Sequence, residues 1–181
     1  AMDRLYQQGK ITYVGSSNFP GWAIAQANER ALNQQRMGLV CEQGLYNLIE
    51  RRAELEVLPA CQQYGVGLIP WSPLAGGLLA GGSNAPGRRQ SDAVQEARRT
   101  RAEQLQGFEA LCADLGETPS NVALAWLLHQ PGVTATIIGP GTVDQLTNTL
   151  SVPDLMLNAE TLDNIDNIFP PCGAAPEAYA W

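Results

Sequence analysis

Four short apolar runs each stop at a polar cluster, and this repeated arrangement constrains the fold more than any other feature of the chain. Ile11, Thr12, Tyr13 and Val14 run into Gly15, Ser16, Ser17, Asn18 and Phe19. Leu39, Val40, Cys41 and Glu42 run into Gln43, Gly44, Leu45, Tyr46 and Asn47. Val66, Gly67, Leu68 and Ile69 run into Pro70, Trp71, Ser72, Pro73 and Leu74; Ala135, Thr136, Ile137 and Ile138 run into Gly139, Pro140, Gly141 and Thr142. A helix-like segment follows each cluster, so the order is strand, polar loop, helix, four times over. In such α/β folds the C-terminal strand ends open on one face, where ligands bind. The four clusters therefore read as parts of one binding site.

The runs do not alternate apolar and polar, which predicts a parallel sheet covered by helices. An open doubly wound sheet and part of a (β/α)8 TIM-type barrel both fit. A dinucleotide-binding doubly wound sheet normally carries GxGxxG between its first strand and helix, and the sequence has none there, which favours barrel geometry.

A chain of 181 residues that is 45% hydrophobic and 16% charged is expected to form one domain with a sizeable core. The net charge of −7 argues against a nucleic-acid surface. Arg88, Arg89, Arg98, Arg99 and Arg101 do cluster, as a solvated face or as a cover over an anionic ligand. Cys41, Cys61, Cys112 and Cys172 have no metal-binding spacing, so no metal is expected and a reducing cytoplasm fits. No run approaches the ~18 apolar residues of a membrane span, and no signal peptide is seen. Residues 1–9 resemble the tail of a helix closed by Gly9, an odd beginning for a domain.

Helical spacing predicts a helix over 22–35, with Trp22, Ala25, Ala27, Ala31 and Leu32 against a sheet, and another over 51–64 ended by Gly65. Residues 75–91, rich in Gly, Ser, Asn and Pro, predict a flexible loop or lid. A polar helix over 92–115 follows. Thr118 and Pro119 then start a helix as N-cap and first residue, and Asn158 caps a last one.

The clusters carry groups suited to binding. Ser17 and Asn18 end the first strand, and Asn18 and Gln43 each offer a donor and an acceptor that match a carboxamide; local turn formation is the alternative. Trp71 offers a flat face for a planar heterocycle, or else packs in the core. Ser72 adds a hydroxyl, and Leu74 with Gly76 lets backbone approach a ligand closely. Thr142 and Gln145 fit a capping box, placing helix amides where an anion could sit unless the two side chains satisfy those amides themselves. His129, the one histidine, lies on a helix, away from the strand ends, which implies a packing or surface role. No Ser-His-Asp set, metal cluster or carboxylate pair stands out.

The run from Gly9 to Phe19 resembles the GKIRYIGVSNF signature of aldo-keto reductases, and Gln43 with Tyr46 and Asn47, the 70–74 segment, and Ile138, Gly139 and Pro140 with Gln145 and Leu146 follow in the family's order. The resemblance implies strands five to eight of a (β/α)8 barrel, its C-terminal half, in an enzyme reducing aldehydes or ketones with NADP or NAD. It implies that Ser17, Asn18 and Gln43 hold the nicotinamide carboxamide and Trp71 stacks on the ring. Ser72, Leu74 and Gly76 would line the pyrophosphate; Gly139, Gly141, Thr142 and Gln145 would surround the adenosine end. The family often has a basic residue where Gly141 stands and usually Asn where Thr149 stands, so NADP preference is open. The family's catalytic Asp, Tyr, Lys and His belong to the first half of the barrel, so no catalytic residue is expected among these 181 residues. The expected partner is a small carbonyl substrate, with no nucleic acid or membrane and with self-association of the half barrel. The tail over 175–181 weakly resembles actinobacterial members. A nucleotide-binding or interaction protein without turnover is the competing reading.

Overall fold

A short helix, Met2–Gln7 (α1), leads into the strand Gly15–Ser17 (β1) in the computed structural model, which describes residues 1–82 and 92–174. Gly21–Asn33 (α2) crosses to Cys41–Leu45 (β2), and Val57–Tyr64 (α3) crosses to Gly67–Trp71 (β3). The three strands pair in parallel in sequence order, the outcome of short helical crossovers between neighbours. Gly65, in the left-handed region at φ 65°, closes α3 as the sequence predicts.

Ser17 lies opposite Gln43, Gln43 opposite Ile69, and Leu45 opposite Trp71. Side chains alternate along a strand, so Ser16, Glu42, Gly44, Leu68 and Pro70 share the face toward the helices. There Glu42, Gly44, Leu68 and Pro70 are buried, whereas Cys41, Gln43, Leu45, Ile69 and Trp71 on the other face are only half-buried and Ser17 is exposed. This corrects the expectation of strands without alternation: helices cover one face of the sheet, and the second is open to solvent.

The strand positions also shift. Pairing begins at Gly15, not Ile11, and Val14 contributes only a carbonyl to Val40 N–H at 2.9 Å. The fourth run, 135–138, is not a strand. It follows β3 through Leu68 N–H to Gly132 O (2.8 Å), Thr134 N–H to Leu68 O (3.0 Å) and Ile137 N–H to Pro70 O (2.9 Å), with one bridge, Leu68 to Val133. Pro70 has no N–H to return, and the ladder breaks there.

Helix α2 buries Gly21, Ile24 and Asn28, not the face carrying Trp22 and Leu32, which are 64% and 63% exposed. Gly21 lies so close to the Glu56 carbonyl that a Cβ would sit 2.6 Å from its oxygen. Asn28 takes Leu39 N–H on Oδ1 (3.0 Å) and gives Nδ2–H to Ile24 O (2.9 Å), tying the returning chain to the helix. The segment expected as one helix over 51–64 starts with a 3-10 turn, Arg52–Glu54.

The expected loop at 75–91 is corrected over its first part: Ala75–Ala80 forms 3-10 turns that bury Leu78 and Leu79. Gly76 and Gly77, at φ 67° and 100°, permit the kink between the turns. Residues 83–91, with Arg88 and Arg89, lie outside the described residues, as does the tail over 175–181. The polar helix is two helices, Asp92–Thr100 (α4) and Ala102–Asp114 (α5), broken at Arg101. Arg98 pairs with Glu109 at 3.7 Å and so joins α4 to α5, whereas Arg99 pairs with Glu96 at 3.3 Å and Arg101 reaches Gln104 at 3.2 Å, each within a turn of itself.

Pro119–His129 (α6) is the central post, with seven consecutive residues, Asn121 through Leu127, buried. Thr118 caps it by accepting Asn121 N–H at 3.2 Å, as expected. Val143–Thr149 (α7), a 3-10 turn Val152–Asp154, and Ala159–Ile168 (α8), capped by Asn158, complete the described chain. His129 accepts Leu157 N–H on Nε2 (3.3 Å) and bonds Ala125 O through Nδ1 (2.8 Å), the structural role its position implied.

The core runs from Leu68 and Tyr46 through Trp126 to Phe108 and Phe169. Tyr46 and Trp126 lie 5.4 Å apart, and Phe108 and Phe169 meet edge to face at 5.5 Å. Beside them Arg51 is buried. It bonds Glu54 and Asp166 at 2.6 Å each and Phe169 O at 2.7 Å, and stacks over Trp126 at 5.0 Å; Tyr46 Oη donates to Glu54 at 2.7 Å. Sequence periodicity gave no sign of this network.

Candidate functional site

The open face of the sheet ends in a compact group of polar side chains. Trp71 Nε1–H donates to Asn18 Oδ1 at 2.9 Å across the end of β2, and Asn18 Nδ2–H donates to Ser17 Oγ at 3.2 Å. Asn18 N–H is held by Gln43 O at 2.9 Å. These bonds fix the indole plane and use one donor and one acceptor of Asn18, leaving its second lone pair and second N–H. The Gln43 carboxamide makes no hydrogen bond among the described residues. Ser17, Asn18 and Trp71 thus meet at the ends of β1 and β3, with Gln43 opposite Ser17 in the middle of β2.

Two of these loops adopt left-handed backbone at residues other than glycine: Asn18 at φ 57° and Ser72 at φ 54°, followed by Ala75 at 49°. Such residues concentrate where surrounding structure holds them for a purpose. Ser72 O accepts Ala75 N–H at 2.9 Å and Asn47 Nδ2–H at 3.0 Å. Asn47, itself buried, also takes the N–H groups of Ile49 and Glu50 on Oδ1 at 2.9 Å each. Leu74 is half-buried before the first 3-10 turn, and Gly77 N–H returns to its carbonyl at 2.8 Å. A side chain at Gly76 would be strained by its φ of +67°.

Gly139, Gly141, Thr142 and Gln145 lie on the exposed segment beyond β3, and no hydrogen bond joins them to the first group. Thr142 Oγ1 accepts Gln145 N–H at 3.2 Å, as the capping pattern predicts. Gln145 Oε1 takes Gly141 N–H at 2.7 Å, one residue earlier than a standard capping box. These two side chains satisfy local amides, and α7 spans only seven residues.

Sequence reasoning missed Glu42 and Asn47. Glu42 ends the second apolar run and Asn47 the cluster after it, and the sequence assigns neither a site role; yet both are buried with satisfied side chains. A charged residue inside a buried strand was the available signal. No group of three or more His, Cys, Asp or Glu able to hold a metal occurs among the described residues, and no helix there is long and apolar enough to cross a membrane.

An α/β chain with polar groups gathered at the C-terminal ends of parallel strands defines a class, and comparison with known proteins gives its family. The aldo/keto reductase family model matches residues 1–169, and the chain belongs to that family, whose fold is of (β/α)8-barrel type. It is 48% identical over 187 aligned residues to an uncharacterized oxidoreductase, YrpG, of Bacillus subtilis, covering 100% of this chain and 56% of that protein. It is 31% identical to a putative voltage-gated potassium channel subunit beta of Schizosaccharomyces pombe, covering 93% of this chain and 53% of that one. Among solved structures, the thermostable aldo-keto reductase Tm1743, in complex with the inhibitor epalrestat, superposes with a TM-score of 0.69 at 28% identity, over 92% of this chain and 52% of that one. The chain spans about half the length of the relatives it matches.

Proposed function

We propose that these 181 residues are the C-terminal half of an aldo-keto reductase barrel and carry the NADP or NAD site of a carbonyl reductase. One observation carries the reading: the Trp71 indole is locked by Asn18, the adjacent Ser17 lies opposite Gln43 in the ladder, and the Gln43 carboxamide on the open face has no hydrogen bond among the described residues. A nicotinamide ring has a flat face and a carboxamide, and these side chains match both in chemistry. Gln43 and Ser17 would bind the carboxamide with the free valences of Asn18, and Trp71 would hold the ring plane. Ser72, Leu74 and Gly76 would follow the pyrophosphate; Gly139, Gly141, Thr142 and Gln145 would border the adenosine end. When bound, the reduced nicotinamide supplies hydride to an aldehyde or ketone carbon. No group in this chain is assigned the proton donor, a role worth about 10²–10⁴-fold, so this half alone should turn over no carbonyl substrate.

Fluorescence titration with NADPH and NADH tests the site. Gln43→Ala and Trp71→Ala should each weaken binding about tenfold or more, and unchanged affinity in both would refute it. Robust aldehyde reduction by the purified chain would refute the division of labour. The open sheet face should also drive self-association, and a monodisperse monomer in light scattering would argue against the half barrel. Similarity to a potassium channel subunit beta favours a second reading, a nucleotide-binding protein without turnover. Binding that persists without reduction when an upstream Asp/Tyr/Lys/His half is supplied would select it.

A further inference from the structure

We propose that Glu42 is a positioning residue for the Ser17 and Asn18 arm of this site, an inference that rests on the cofactor reading above. Strand β2 is the central strand, and alternation sends Gln43 to the open face and Glu42 to the opposite, fully buried side. Among the described residues the Glu42 carboxylate has two hydrogen-bond partners, one in β1 and one just beyond it: Ser16 Oγ–H donates to Oε2, and Phe19 N–H donates to Oε1 at 2.9 Å. Between those partners in sequence stand Ser17 and Asn18. The carboxylate brackets the two site residues from behind.

The bracket matters because of the conformation it spans. Asn18 is left-handed at φ 57°, a conformation less populated than the ordinary helical or extended ones even for Asn, and one that its surroundings must hold. In that state its side chain reaches back to Ser17 Oγ and across to the Trp71 indole. Glu42 and the Gln43 carbonyl hold the loop from one strand, the first through Ser16 and Phe19 and the second through Asn18 N–H. A charged acceptor is the stronger choice here, since hydrogen bonds to ionised groups are shorter and roughly twice as strong as neutral ones. A carboxylate withdrawn from water is retained only with its partners in place. Loosening the loop would free Asn18, and with it the plane of Trp71.

The test compares wild type, Glu42→Gln, Glu42→Ala and Ser16→Ala in the full chain without cofactor. Two signals report the bracket: hydrogen exchange of the Phe19 amide and the indole N–H resonance of Trp71. Glu42→Ala should speed Phe19 exchange at least tenfold and move the Trp71 indole signal toward that of a free indole. Glu42→Gln should stay closer to wild type than Glu42→Ala in both, because its carbonyl still accepts from Phe19 N–H and the Ser16 hydroxyl can turn to accept, though these neutral bonds are weaker. Ser16→Ala should fall between them, and serves if Glu42→Ala does not fold. A merely structural glutamate would lower the melting temperature in Glu42→Ala and Glu42→Gln alike and leave the Trp71 signal in place; that result overturns the proposal. With NADPH added, affinity should follow the same order. Failure of the wild type to bind NADPH or NADH would overturn the cofactor reading, whereas unchanged exchange and indole signals in the Glu42→Ala and Ser16→Ala variants would overturn the bracket itself.

Discussion

Arg51 and Arg52 are adjacent, each bonded to a glutamate at 2.6 Å, yet their removal should have very different effects. The Arg51 side chain is 7% exposed and that of Arg52 75%. Arg51→Ala leaves Phe169 O without a partner in the core, an unmet acceptor costing about 1–3 kcal/mol. It also removes the contact with Trp126, worth roughly 0.5–2 kcal/mol. Glu54, 19% exposed, keeps only Tyr46 Oη, while Asp166, 45% exposed, regains water at small cost. These two terms give about 1.5–5 kcal/mol, and the uncompensated charge left on Glu54 places the loss in the upper part, about 3–5 kcal/mol, the range for breaking a buried ion pair. With a urea m-value of about 2 kcal/mol per M, the unfolding midpoint should drop by roughly 1.5–2.5 M. Arg52→Ala should barely move it, since exposed pairs are screened and entropically costly. Arg51→Lys should recover part of the loss, because one ammonium cannot serve three acceptors in a fork. Far-UV circular dichroism is the suitable probe, as the change alters the surroundings of Trp126 directly. Equal shifts for Arg51→Ala and Arg52→Ala would refute the assignment of the stabilisation to burial.

Gly141 is outside the left-handed region, and a Cβ there would meet only Gln145 Oε1 at 3.6 Å, so Gly141→Arg should fold unstrained. In the protein with the upstream half supplied, it should tighten NADPH about 10–100-fold and leave NADH unchanged, and equal shifts would remove Gly141 from the 2′-phosphate. Burial pushes the Cys61 thiol up to about 11 and the Cys112 thiol up to about 12, so at pH 8 iodoacetamide should label exposed Cys172 first and these two only after unfolding. Because both folded values lie above the ordinary 9.0, their stabilising effect is complete below pH 9 and lost as pH rises through about 11 to 12, which an alkaline urea series would register. The Arg52 hydrogen bond holds the Glu50 carboxyl below its ordinary 4.5, so its effect is present above pH 4.5 and lost as pH falls; Glu50→Gln should flatten that acid limb slightly.

The sequence made the local signals readable. Thr118, Thr142 and Asn158 cap the helices they were expected to start, because a cap depends on a few consecutive residues. The strand-end residues were readable for the same reason, as each terminates its own apolar run. What escaped depends on contacts distant in sequence. Trp22 and Leu32 fit a helix face by spacing, but the close approach of Gly21 to Glu56 chooses another. The run at 135–138 has strand composition, and the missing N–H of Pro70, far upstream, breaks its pairing. Glu42 and Arg51 carry charge into the interior, where only the fold shows their partners.

The unbroken burial along α6 has an evolutionary consequence. Seven successive positions there face the interior on every side, so most polar or bulky changes between Asn121 and Leu127 should be purged by selection on folding alone. The segment 139–148, which would border the adenosine end, is exposed throughout. Selection can therefore explore one segment almost without reference to the other. On the proposed reading of the site, a lineage could change its nucleotide preference by drift and adaptation in that outer segment while the interior post stays fixed.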